Sequence, residues 1–267
     1  MNRTLQAFRI LLAITSAIVT LFPLYWMVAT SFKSGQEINT YPPVFWPASV
    51  SLNNYGAVLE DLPFGQLMLN SFIVSSVITV STLFASSLAG YVFEKFKTRL
   101  TEFFFWVIIS IMMIPFPVIM LPVYLLFRDL KLLNSLQGII IPGLVGPFAI
   151  FLMRQHMKSI PNELLDAARM DGASEFGIFL RIVIPNSIAT LTALGIFEFM
   201  FYWEDFLWPL LVSQDVEYRT LPVGLAIYRQ SYGPMSTNLI MAGAIIALAP
   251  ILFLFVIGRR NFVQGMT

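Results

Sequence analysis

The sequence has no cysteine, a single histidine and little charge: Asp, Glu, Lys and Arg together make up 12% of its 267 residues. Without cysteine there is no disulfide, no zinc-finger ligand set and no thiol nucleophile, although this says little about compartment. A lone His156 cannot build a multi-histidine metal site, and at a helix end it reads as structural. The formal net charge of +1 offers no acidic or basic excess for nucleic acid. No Gly-rich Lys-Ser/Thr phosphate loop, His-Glu-x-x-His or Gly-x-Ser-x-Gly occurs. The chain therefore offers no catalytic residue and no metal ligand set. No low-complexity tract or internal repeat is visible.

What is present is apolar. Hydrophobic residues make up 57%, mean hydropathy is +0.77, and there are 25 Phe and 13 Met. About 20 apolar residues cross a bilayer as a helix. Six stretches qualify: Phe8–Thr30, Asn70–Phe93, Phe103–Phe127, Leu136–Gln155, Ser187–Val212 and Leu239–Gly258. All read as helices, because a chain in lipid must satisfy its own backbone. The first is longer than a signal-peptide core and lacks a small-x-small cleavage site, so it reads as an anchor.

Lysine and arginine set orientation. Eleven fall on one side: Arg3, Arg9, Lys95, Lys97, Arg99, Arg154, Lys158, Arg169, Arg181, Arg259 and Arg260. Five fall on the other: Lys33, Arg128, Lys131, Arg219 and Arg229. The richer side is expected to be cytoplasmic, which puts both termini and the loop between the fourth and fifth spans inside. Pro115, Pro117 and Pro122 in "MMIPFPVIMLPVY" are expected to kink the third span, and Pro147, Pro209 and Pro250 to bend or end others.

That loop carries "ELLDAARMDG", with four charges in ten residues from Glu163 to Gly172. Pro161 suits a first helical turn, Asn162 a cap, and Glu163 and Asp166 the positive end of the helix dipole. Ala168, Asp171, Gly172 and Glu175 follow helical spacing and would share a narrow face that lets another protein approach. Gly172 suits a left-handed helix end, and Ser174 could cap a second short helix. A helix lying on lipid headgroups usually has a basic polar face; this one is acidic, which favours a soluble partner.

The stretch "DAARMDGASEFGIFLRIVIP" resembles the cytoplasmic-loop signature of the membrane subunits of bacterial ABC importers. That pattern is Glu-Ala-Ala, three residues, Gly, nine residues, Ile-x-Leu-Pro. Here it falls on Asp166, Ala167, Ala168, Gly172, Ile182, Ile184 and Pro185, with Asp for Glu and Ile for Leu. "LFPLYWMVATSFK", "YPPVFWPASVSLNNY", "LNSFIVS", "RQHMKSIPNELLDAARMDGAS", "YWEDFLWPLL" and "RRNFVQGMT" are similar to the carbohydrate-importer branch, and within it to the maltose-type second permease.

The resemblance implies an all-α membrane protein of type I ABC importer permease fold. Six transmembrane helices would form one permease domain over residues 1–267, with a cytoplasmic coupling-helix loop at 156–186. It implies a bacterial inner-membrane location, a second and non-identical permease subunit, two ATPase subunits and an extracytoplasmic solute-binding protein. The chain itself would bind no cofactor; ATP and Mg would belong to the ATPases. Glu163, Asp166, Ala167, Ala168, Asp171, Gly172 and Pro185 would form the coupling surface.

"FEFMFYWEDFLWPLL" places acids in the fifth span, where a charge costs about 3 kcal/mol on insertion scales and usually faces a cavity. Glu198, Tyr202, Asp205 and Trp208 follow helical spacing as one polar-aromatic stripe that would line a sugar pathway. Equally, Glu204 and Asp205 read as part of an outer aromatic belt with Trp203 and Trp208. An ion-gradient transporter using Glu198 or Asp205 is the competing function. Within the importer reading, a polyol or glycerol-phosphate compound competes with sugar; the pathway stretches lack basic residues, which favours neutral solutes.

Overall fold

A computed structural model describes the backbone of residues 3–232 and 237–266; the side chains at 1–4, 7, 231–236 and 257–267 lie outside the described residues, and with them Arg3, Arg259, Arg260 and the ending "RRNFVQGMT". The described residues form helices and turns with no strand. In order they are α1 (Arg3–Ser31), α2 (Gly35–Ile38), α3 (Asn53–Asp61), α4 (Phe64–Lys95), α5 (Arg99–Ile111), α6 (Phe116–Asp129), α7 (Leu136–Ile140), α8 (Pro147–Met157), α9 (Asn162–Met170), α10 (Glu175–Ile178), α11 (Ile184–Asn186), α12 (Ile188–Trp203), α13 (Leu207–Val212), α14 (Leu221–Tyr232) and α15 (Thr237–Met266).

Four segments are long and apolar enough to cross a membrane: Phe8–Ser31, Phe64–Lys95, Leu136–Met157 and Thr237–Val256. Two bent pairs bring the total to six. The expected third span is α5 and α6, which meet at 96°. Its break falls at the prolines: Pro115 is extended and precedes α6, and Pro117 sits in the first turn of α6, where a missing N–H costs nothing. Pro122 is carried inside α6.

The chain divides into two compact units, one of residues 1–66 with 223–250 and one of 67–222 with 251–267. In the first unit, asparagines tie the end of α1 to α3 and α15. Asn54 Nδ2 donates to the carbonyls of Ser31 and Lys33 at 2.7 and 2.9 Å, and Asn238 Nδ2 donates to Asn54 Oδ1 at 2.9 Å. Lys33 lies buried with its ammonium 4.0 Å from the centre of the Trp26 ring. Burial lowers its pKa, against the pull of Glu37. Glu37 closes a capping box with Ser34 and accepts the Ala48 N–H at 2.7 Å, which holds its carboxyl below the usual range and pins the loop after α1.

The second unit is built on α4. Its buried Asn70, Ser71, Ser75, Thr79, Thr82 and Ser86 make one face small and polar, the composition that lets helices approach in lipid. At Gly90 a Cβ would stand 2.9 Å from the backbone of Met153 and Arg154, so α8 packs directly on α4. The fourth span is interrupted by a 3-10 turn at Ile141–Gly143, where Pro142 removes a donor. Ser81 and Thr82 of α4 donate to the carbonyls of Leu144 and Gly143 at 2.9 and 3.2 Å. Side chains thus take up backbone groups that the hydrocarbon could not.

Gly90→Val should push α8 from α4 and destabilise the protein by about 1–3 kcal/mol, the usual cost of overpacking. Thermal unfolding of the purified protein in detergent checks this, and a variant as stable as the parent would contradict the close-packing account.

Candidate functional site

The loop between the fourth and fifth spans is a helix–turn–helix. Helix α9 begins after an extended Pro161 at the cap position; Asn162 is its first residue and caps nothing, its Oδ1 instead accepting from Lys95 at 2.9 Å. The amphipathic pattern turns Leu165 inward to a core with Tyr91, Met153, Met157, Ile160, Ile178 and Phe179. At the other end the Ala173 N–H bonds Ala168 O and the Gly172 N–H bonds Arg169 O, each at 3.0 Å. This closing pattern needs a left-handed residue, and Gly172 supplies it at φ +81°. Ser174 then caps α10 by accepting the Gly177 N–H at 3.2 Å.

Because α9 ends at Met170, Ala168, Asp171, Gly172 and Glu175 do not share a face. Ala168 packs on the loop core. Asp171 and Gly172 form the exposed turn, and Glu175 opens α10 and faces Arg169. The outward face of α9 is Glu163, Asp166, Ala167 and Met170, all exposed, with Met170 at 87%. Sequence reasoning missed Met170, although counting i, i+3, i+4, i+7 from Glu163 leads to it.

The charges of the loop are largely paired with one another. Arg169 bonds Glu175 through Nε at 2.7 Å and Asp166 through Nη1 at 2.7 Å. Those two carboxylates hold its proton more firmly than usual. Tyr91 of α4 donates to Glu175 Oε2 at 2.7 Å. A polar cavity of about 580 Å³ lies between α9 and the end of α4, lined by Lys95, Lys97, Lys158, Glu163 and Asp166 among others.

Beneath it lies a buried ion cluster. Arg154, counted with the basic residues of the loop side, is 7% exposed; it pairs with Glu94 at 3.3 Å and with Glu102, and stacks on the Phe105 ring at 3.9 Å. Lys97 reaches the same Glu94 at 2.7 Å. The cluster joins α4, α5 and α8.

Pro185 lies in α11, directly after a π-helical stretch at Phe179–Val183. Its missing N–H disturbs the ladder. Beside this break, Asn186 Nδ2 and Ser187 Oγ donate to the carbonyls of Ile182 and Val183 at 2.7 and 2.8 Å. The chain then turns by 77° into α12. His156 ends α8 with Nδ1 3.0 Å from Thr190 Oγ1 of α12.

The fifth-span acids do not form one stripe, because α12 stops at Trp203 and α13 begins at Leu207. Glu198 is 6% exposed, its Oε1 3.7 Å from where a Cβ on Gly146 would stand. Tyr202, Asp205 and Trp208 instead line a cavity of about 220 Å³ with Phe116, Ile139, Pro142, Gly143 and Phe201. The Asp205 carboxyl faces the backbone N–H groups of Phe206 and Trp208 at the start of α13. Trp208 is buried, with its indole N–H donated to Gly138 O at 3.0 Å, and Trp203 is buried against Phe199. Neither tryptophan is placed as an interface belt.

An apolar chain with four to six helical segments able to cross a membrane, some broken at prolines, has the build of a multi-pass membrane protein. Residues 81–267 match the family of binding-protein-dependent transport system inner membrane components, and the chain belongs to that family. It is similar to the arabinooligosaccharides transport system permease protein AraQ of Halalkalibacterium halodurans, with 35% identity over 94% of this chain and 91% of that one. The lactose transport system permease protein LacG of Rhizobium radiobacter is 34% identical, again over 94% and 91%. The sn-glycerol-3-phosphate transport system permease protein UgpE of Pectobacterium atrosepticum is 32% identical over 99% and 97%. A crystal structure of a bacterial ABC transporter involved in the import of the acidic polysaccharide alginate contains a chain of the same fold, with TM-score 0.85 over 98% and 99% of the two chains at 24% identity.

The fold is therefore that of a type I ABC importer permease, and the chain is a non-catalytic subunit that works with a second permease, ATPases and a solute-binding protein. The ion-gradient reading of Glu198 and Asp205 gives way to this membership.

Removing Arg154 takes from the buried Glu94 its buried partner and leaves it only the exposed Lys97, at a cost of up to about 3 kcal/mol. Arg154→Met should therefore sharply lower the unfolding temperature, while Arg154→Met with Glu94→Met and Glu102→Gln should recover much of the loss. Equal stability of Arg154→Met and the parent in a detergent unfolding series would contradict the cluster.

Proposed function

We propose that this chain forms half of the translocation pathway of a carbohydrate importer and receives the power stroke through α9. The observation that carries the reading is the exposed face of α9: Glu163, Asp166, Ala167 and Met170 on a helix whose other side is locked into the core. Two carboxylates, a small side chain and an exposed methionine on a helix seated in the core suit a cleft on an ATPase subunit. Asp171, Gly172 and Pro185 then shape the turn and the return to the membrane, and Ala168 seats the helix. Both termini and this loop lie in the cytoplasm, on the side of the Lys/Arg excess. Residues 156–186 act as the coupling loop of a permease domain spanning 1–267.

A neutral sugar or short oligosaccharide fits better than a phosphate compound. Two of the relatives above are named for sugars and one for glycerol-3-phosphate. The aromatic cavity beside Tyr202, Asp205 and Trp208 has a carboxyl and no cation in its lining. Arg154, the cation within the fourth span, is consumed by Glu94 and Glu102. ATP and Mg belong to the partner subunits.

The test is ATP hydrolysis by the complex in lipid, co-expressed with the neighbouring transporter genes. A binding protein loaded with one of a panel of sugars, polyols or glycerol phosphates should stimulate hydrolysis. Ala168→Trp and Gly172→Trp should return the rate to its unstimulated level. Full stimulation in both variants, or purification of the chain without an ATPase, would overturn the assignment.

A further inference from the structure

We infer that α9 is clamped at both ends to the terminal turns of α4, so that α4, and not only the spans flanking the loop, carries the coupling motion into the bundle. This rests on α9 being the coupling helix.

The first clamp is Lys95, the last residue of α4. Its ammonium donates to Ile160 O at 2.6 Å and to Asn162 Oδ1 at 2.9 Å, both at the start of α9. The second is Tyr91, one turn earlier on the same face of α4. Its hydroxyl, on a residue 2% exposed, bonds Glu175, and Glu175 holds Arg169 in the last turn of α9 through two bonds of 2.7 and 3.3 Å. Arg169 reaches back to Asp166 on α9 itself. One helical turn of α4 thus grips α9 fore and aft, with Leu165 and Ile160 packed between the grips.

The chain itself also links α9 to its neighbours. From α8 the chain reaches α9 through Lys158–Pro161, and from α9 it leaves through Gly172, a left-handed residue with nothing within 4 Å of its Cβ position. At its own end α4 is knotted to α5 and α8 by Glu94, Arg154 and Glu102. A push on α9 is therefore passed through Lys95 and Tyr91 to α4, and from α4 to two further spans as a block. Asp166, the expected polar contact to the ATPase, also steadies the arginine that closes the rear clamp.

The absence of cysteine makes a distance test direct. Spin labels at Phe84→Cys on α4 and Leu164→Cys on α9, both exposed, report the separation in the complex with its ATPases in lipid nanodiscs. The probe is Mg-ATP with orthovanadate, which traps the closed ATPases. One narrow distance, unchanged on trapping, is expected. With Tyr91→Phe and Lys95→Met together, the trapped distance should shift and broaden; Lys95→Arg should keep it narrow, and Glu175→Gln alone should loosen the rear clamp without changing side-chain shape. A shift on trapping in the complex that carries the labels alone overturns the clamp, as does a trapped distance in the Tyr91 and Glu175 variants equal to that of the labelled parent. A photo-cross-linker on Met170→Cys separates this from the coupling assignment. If it captures no ATPase subunit, the coupling helix and the clamp fall together. If it captures one and either overturning distance is found, only the clamp falls.

Discussion

A peptide group has no water to turn to inside a bilayer, and this constraint organises the molecule. At the breaks of the fourth and fifth spans, side chains take up carbonyl groups left by the interrupted ladder. Ser81 and Thr82 serve the carbonyls exposed by the 3-10 turn of the fourth span. Asn186 and Ser187 serve those beside Pro185, and Trp208 serves Gly138. The breaks are what create room: the cavity lined by Tyr202, Asp205 and Trp208 lies where α12 stops and α13 starts, against the break of the fourth span. A bundle of unbroken helices would satisfy its backbone more simply and enclose nothing.

The same logic extends to charge. Lipid and protein interior both penalise an unpaired ion, so the charges near the loop end are spent on one another. Arg154 binds α4, α5 and α8 through two glutamates and a ring, while Arg169, Glu175 and Asp166 close the loop on itself. What is left facing outward on α9 is two carboxylates, Ala167 and the exposed Met170. On the proposed function, this is the surface that an ATPase subunit would meet.

Much of this was legible in the residues. Hydropathy located the spans to within several residues, because burial in lipid demands apolar side chains all around a helix. Pro115 and Pro117 marked the break between α5 and α6, since a missing N–H acts locally. Gly172 announced its left-handed turn, and Ser174 its cap, for the same reason. The spacing from Asp166 to Pro185 pointed to the family. The polar-aromatic stripe was misjudged: helical spacing carries through Glu198 to Trp208 only if the helix does, and it ends at Trp203. Met170 was overlooked because a methionine in so apolar a chain draws no notice until its exposure is known.

By itself the sequence determined which segments are long and apolar enough to cross a membrane, where the third of them breaks and which loop holds the acidic helix. Each of these depends on the side chain and its near neighbours along the chain. Only the tertiary structure decided what each charge is for. Glu94 and Arg154 are 60 residues apart, and Tyr91 and Glu175 are 84 apart. No periodicity records such pairs, because a contact between distant segments is chosen by how helices pack, and the energy of a buried charge depends on the partner that packing brings to it.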